Sequence, residues 1–381
     1  MSVGIPTKPL RFAYWVPNVS GGLVTSGIEQ RTDWSWEYNR DTAIAAENSG
    51  FEFALSQVRY MASYSAEYQH ESTSLSTALM MATERLKVMA AVHPGLWHPG
   101  VFANMGATVD HLTASTGHGG RFATNIVSGW FKGEFTAFGE PWLEHDERYR
   151  RTEEFIRCLK GIWEEDDFTF RGDFYRFHDY SLKPKPLNTP ERPHPEIFQG
   201  GNSTAARQMA GRVSDFYFSN GKDFDGVVEQ LHDVNTAAAE NNRTVNFGLN
   251  GFMIVRDSEK EARDTLREIV DKANKDQVEG FRQAVQQAGA SASDGKGMWA
   301  ESSFEDLVQY NDGFKTQLIG TAEQVADRII EYKKLGVDLN LLCFLHVKEE
   351  IEQFGKEVLP IIREKEAELP DAEPAPALAQ A

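Results

Sequence analysis

Polar residues set just past short apolar runs are where this chain could build chemistry. Asn125 and Ser128 follow Phe122-Ala123-Thr124 within the stretch 119–130. Gly200-Gly201-Asn202-Ser203 follows Ile197-Phe198-Gln199 in the same way. Glycines let backbone N–H groups approach an anion, Ser203 adds a hydroxyl, and a helix opening at Thr204 favours negative charge at its N-terminus. A bare Gly-Gly turn is common; joined with Asn125 and Ser128 it describes a groove for a flat, phosphorylated cofactor. His93 and His98 flank a Pro-Gly loop, with no His-Glu-x-x-His or cysteine pair beside them, so no metal site is expected. The sequence has no Gly-x-Ser-x-Gly elbow and no dinucleotide fingerprint, so serine hydrolysis and bound NAD have no motif behind them.

The elements that must position these residues alternate. Apolar runs at 10–17, 51–57, 86–92, 121–126, 196–199, 215–219, 245–255 and 337–344 read as eight strands. Helical patterns fill the intervals: 33–50 with Asp33 as cap, 71–83, 100–112, 145–163, 204–212, 225–241, 258–273, 321–335 and 348–368. Eight strands each followed by a helix predict an α/β fold, a (β/α)8 TIM barrel over 10–368, with an arm at 1–9 and an extended tail at 369–381. A β-hairpin at 168–180 and an aromatic loop at 130–144 are additions to it. The less regular segment 277–320 reads as an active-site lid before the last βα unit. In such a barrel the C-terminal strand ends carry the site, which puts Asn125, Ser128 and Gly200 on one face.

Composition narrows the function. A net charge of −18 over 381 residues argues against binding nucleic acid or an anionic membrane, since both are held by basic patches. Cys158 and Cys343 are expected to be core residues of a reduced, cytoplasmic protein. Neither an apolar leader nor a run of 18 apolar residues is present, so no membrane span is expected.

Longer motifs add a resemblance. Asn125-Ile126-Val127-Ser128-Gly129-Trp130, Leu143-Glu144-His145-Asp146-Glu147-Arg148-Tyr149, Phe198-Gln199-Gly200-Gly201-Asn202-Ser203 and Leu342-Cys343-Phe344-Leu345-His346 resemble the bacterial-luciferase-like flavin monooxygenases. The chain is similar to their two-component alkanesulfonate branch, and within it to the dimethyl sulfone monooxygenases, through 12–22, 168–179 and 303–315. The similarity runs over about 10–365. It implies a luciferase-like barrel using reduced FMN as a diffusible co-substrate, an NAD(P)H-dependent FMN reductase as partner, dioxygen, and assembly into a homodimer or homotetramer. It further implies Asn125, Ser128, His145 and Tyr149 along the flavin, Gly200, Gly201, Asn202 and Ser203 on its phosphate, and Ser56, Gln57 and His93 near the ring.

The departures concern the substrate. Where sulfonate-oxidising relatives carry an Arg and a His on the seventh strand, this chain has Asn250 and Phe252; where they carry a late Tyr it has Phe344, while His346 remains. A sulfonate calls for a fixed cation, so a small uncharged organosulfur substrate is expected. Dimethyl sulfone fits, oxidised at a methyl carbon to methanesulfinate and formaldehyde. Asn250 would serve its oxygens, His346 would move a proton, and Trp15 and Trp130 would wall the pocket. Lys315 in the lid keeps a sulfonate possible, so an alkanesulfonate (methanesulfonate) monooxygenase is one alternative. A deazaflavin-dependent oxidoreductase on the same barrel, or a flavin-binding barrel without catalysis, are the others.

Overall fold

Short apolar runs bounded by turn residues become the staves of a barrel. The computed structural model describes residues 8–61, 66–289, 292–300 and 302–369; most of the expected arm and the tail beyond 369 lie outside them. The strands are β1 (Arg11–Val16), β2 (Phe53–Ser56), β3 (Lys87–Val92), β4 (Phe122–Ile126), β5 (Phe168–Arg171), β6 (Arg176–Tyr180), β7 (Glu196–Gly200), β8 (Phe216–Ser219), β9 (Asn246–Phe252), β10 (Ile254–Val255), β11 (Ile319–Gly320) and β12 (Leu339–Cys343). Eight of them close a parallel barrel in the order β1-β12-β9-β8-β7-β4-β3-β2, and β5 and β6 form the expected antiparallel hairpin.

Alternate residues on each stave point inward. Ala13, Phe53, Leu55, Met89, Phe198, Phe216, Leu339 and Leu341 fill the barrel, with Phe198 stacked on Phe216 at 4.4 Å. The other faces pack on the surrounding helices. The N-terminal end is stoppered: Arg11 pairs with Glu52 at 2.8 Å and Glu196 at 3.0 Å, and Lys87 pairs with Glu196 at 2.8 Å. The Arg11 guanidinium also lies 4.5 Å above the Phe53 ring. A barrel closed by charge and aromatic rings at one end leaves only its C-terminal mouth for a ligand.

Several expected elements differ. The run 245–255 is not one strand: β9 ends at Phe252, Met253 donates to the Cys343 carbonyl, and β10 leaves the barrel to pair with β11. The lid is more regular than expected, opening with the helix Lys275–Gly289. The loop 130–144 contains a short helix, Lys132–Ala137. The first helix is capped by Ser35 rather than Asp33, whose carboxylate accepts from Trp34 N–H and the Ser35 hydroxyl. The last helix is split by a π turn, Phe354–Val358, because Pro360 has no N–H to give back to the preceding turn.

Candidate active site

At the C-terminal mouth the staves end in amides. Gln57 and Asn220 follow β2 and β8, Asn125 and Asn250 lie in the last residues of β4 and β9, and all four line one chamber of about 140 Å³. Asn250 is the best fixed. Its Oδ1 accepts from the Trp15 indole at 2.6 Å and its Nδ2 donates to the Asn311 carbonyl at 2.9 Å. An indole N–H can only donate and a carbonyl can only accept, so this pair sets which way the amide faces. Asn250 thereby ties β1 and β9 to the lid.

The lid supplies the roof. Phe281, on the helix Lys275–Gly289, meets Trp130 at 5.7 Å, Trp299 at 5.4 Å and Tyr310 at 4.9 Å, each edge-on. Trp299 sits at φ 64, a left-handed conformation costly for a bulky residue, and donates its indole N–H to the Tyr310 carbonyl. These rings lie over the chamber, where a lid is expected.

Among the described residues lining the chamber one side chain is charged, and no sequence motif singles it out. Arg59, 5 % exposed, is three residues beyond the end of β2, with its guanidinium 5.6 Å from the Trp130 ring and 5.4 Å from the Tyr310 ring. The next two backbone N–H groups, of Tyr60 and Met61, are held at 2.6 and 3.2 Å by the buried Glu134 carboxylate. Burial raises the Glu134 pKa. Arg59 puts a cation into a pocket for which a small uncharged substrate is expected. The signal was available, since Arg59 stands past β2 as Ser128 stands past β4; the tyrosine-rich surroundings hid it.

A second, smaller cavity opens beside the chamber and shares Trp130, Gly200 and Trp299 with it. Ser128, His145, Arg148 and Tyr149 line it. Thr152 donates to the Ser128 hydroxyl at 3.0 Å, and His145 Nδ1 lies 2.7 Å from Asp146. Burial pushes the Tyr149 phenol up to about 12, while a bond to the Ser203 hydroxyl works the other way. Gly201 has φ 147, and a Cβ there would run into the Tyr149 hydroxyl and the Ala206 methyl. Ser203 caps the helix Thr204–Val213. The Thr204 N–H already holds an oxyanion: Asp294, from the lid, accepts from it at 2.7 Å.

Other expected residues stand apart from the chamber. Ser56 is fully buried in β2. His93 is also fully buried, with Nδ1 on the Val127 carbonyl at 2.9 Å and Nε2 3.6 Å from Glu134; burial takes its pKa down to about 4. Phe252 packs on Phe314 and Phe344 on Phe51, both in the outer core. His346 precedes the helix Val347–Gln353 with its Nδ1 accepting from Arg31 N–H at 3.1 Å, and it does not line the chamber. Asn202 and Lys315 line a separate polar cavity behind Trp299, where Lys315 pairs with Asp306 at 3.4 Å and Asp312 at 3.7 Å.

A parallel eight-stranded barrel with a lidded mouth of amides and aromatic rings is the architecture of a luciferase-like enzyme. Residues 10–339 match the luciferase-like monooxygenase family, and the chain belongs to it. It is 60 % identical over 362 residues to the FMNH(2)-dependent dimethylsulfone monooxygenase of Pseudomonas putida, covering 95 % of this chain and 98 % of that one. The enzyme of the same name from Pseudomonas fluorescens (strain Pf0-1) is 58 % identical over 365 residues, 96 % and 98 % of the two chains. Among solved structures, long-chain alkane monooxygenase superposes with a TM-score of 0.77 at 18 % identity, over 94 % of this chain and 92 % of that one.

Proposed function

We propose that this protein is a reduced-FMN-dependent monooxygenase that converts dimethyl sulfone and dioxygen to methanesulfinate, formaldehyde and water. The observation that carries the reading is a chamber roofed by aromatic rings, with amides at or near the ends of four strands, in a chain so close over nearly its whole length to enzymes named for this reaction. The residues present suit the flavin. Asn125 lines the chamber with its Oδ1 buried and without a partner, an acceptor for a heterocyclic N–H. Gly201, Ser203 and Tyr149 would hold the phosphate end, where Asp294 now stands in as the oxyanion. When bound, reduced flavin supplies the electrons that activate dioxygen. This chain's part is to orient the sulfone, with Asn250 and its neighbours around it, and to keep water out beneath Phe281 and Trp299.

The reduced flavin comes from a separate NAD(P)H-dependent FMN reductase, for this chain has no dinucleotide fingerprint of its own. Arg59 favours a second reading, oxidation of a methyl sulfonate, because a fixed cation suits a sulfonate. The test is to mix protein with anaerobically reduced FMN, admit dioxygen, and assay formaldehyde and sulfur oxyanions with dimethyl sulfone or methanesulfonate. Turnover of the sulfone alone is expected. Turnover of the sulfonate alone would replace the first reading with the second.

A further inference from the structure

We infer that Arg59 binds the two sulfonyl oxygens and takes up the negative charge that develops on them as the C–S bond breaks; this rests on the sulfone-oxidising reading above. Among the described residues lining the chamber, Arg59 alone carries a charge. Its guanidinium lies 5.6 Å from the ring of Trp130, in the β4 loop, and 5.4 Å from the ring of Tyr310, in the lid, a cation–π setting that places it in the chamber. The backbone behind it is fixed. Glu134 grips the N–H groups of Tyr60 and Met61, and the Tyr60 hydroxyl accepts from the Trp97 indole at 2.7 Å. Asn220 lines the same chamber with its Nδ2 buried and without an acceptor, a second donor for an oxygen-rich ligand.

The chemistry gives such a cation more to do late in the reaction than early. Oxidation of one methyl of the neutral sulfone by dioxygen and reduced flavin gives CH3SO2CH2OH. Its O–H gives its proton to the water formed in that oxidation, the carbon–oxygen double bond forms, and the C–S electron pair goes to sulfur, leaving CH3SO2⁻, formaldehyde and a hydronium ion. Over that step the two oxygens pass from partial charges to a shared full charge. A preorganised guanidinium beneath the lid stabilises the transition state and the anion more than the substrate. A planar fork also matches two oxygens on one sulfur better than an ammonium would.

The test compares the full-length protein with Arg59→Met and Arg59→Lys. Methanesulfinate and dimethyl sulfone affinities are read by calorimetry, turnover by formaldehyde release, and flavin binding and melting serve as controls. Wild-type protein is expected to bind methanesulfinate roughly tenfold or more above the sulfone, a result that needs no variant. Arg59→Met should erase that preference and lower kcat by about a hundredfold with a much smaller change in KM, as loss of an oxyanion donor does. Arg59→Lys should restore part of both. Wild-type-like kcat and methanesulfinate affinity in Arg59→Met would overturn the inference. If wild-type protein gives no product from the sulfone, the functional reading fails; Arg59-dependent methanesulfinate binding would still uphold the oxyanion role.

Discussion

Asn250 and His93 show how differently a single side chain can matter in this site. Asn250 uses both ends of its amide, so Asn250→Leu leaves the Trp15 indole and the Asn311 carbonyl without partners. A buried polar group left unbonded costs about 1–3 kcal/mol. Urea denaturation should show a loss of that size, together with a lower kcat/KM. His93 never meets the chamber but links stability to pH. Burial holds it neutral down to about 4, whereas in the unfolded chain it protonates near 6.5. Between those values the unfolded state takes up a proton that the folded state refuses, so the His93 contribution is complete above 6.5 and is lost as pH falls toward 4. His93→Gln keeps a donor for the Val127 carbonyl and removes the titration. Its urea midpoint should fall less steeply between pH 7 and 5 than the wild-type value; an equal slope would refute the assignment.

At the scale of elements, the phosphate end of the site is a strand-to-helix turn already holding a carboxylate. Asp294 and a phosphate compete for the Thr204 N–H, and two anions there repel. Asp294→Asn should therefore tighten FMN severalfold and leave riboflavin affinity unchanged, measured by fluorescence titration; weaker FMN binding would show that Asp294 helps the site instead. Much of this scale was legible in the chain. Runs such as Lys87–Val92 are apolar and short, and Gly200-Gly201-Asn202-Ser203 announces its turn by composition. The break after Phe252 was not legible, because 245–255 is apolar throughout and the interruption arises from β11, more than sixty residues away. The lid helix was legible in its apolar spacing. Val278, Phe281 and Val285 are buried at helical spacing, yet the small-residue stretch that follows made the whole segment look irregular. Which strand-end residues converge depends on closure of the barrel, so Gln57 and Asn125 reached the chamber while Phe252 and Phe344, on the same kinds of strand, turned into the outer core.

The whole molecule is asymmetric along its axis. The ion pairs of Arg11, Glu52, Lys87 and Glu196 shut the N-terminal end, and the lid with Phe281 and Trp299 roofs the other. An interior with one roofed entrance suits a reaction in which activated oxygen must meet a methyl group before it meets water. Coupling of dioxygen use to product formation tests this most directly. With limiting reduced FMN, saturating dimethyl sulfone and a measured amount of dioxygen, one formaldehyde and one methanesulfinate are expected for each dioxygen consumed. Dioxygen consumed with hydrogen peroxide as the product, and the sulfone recovered intact, would contradict it.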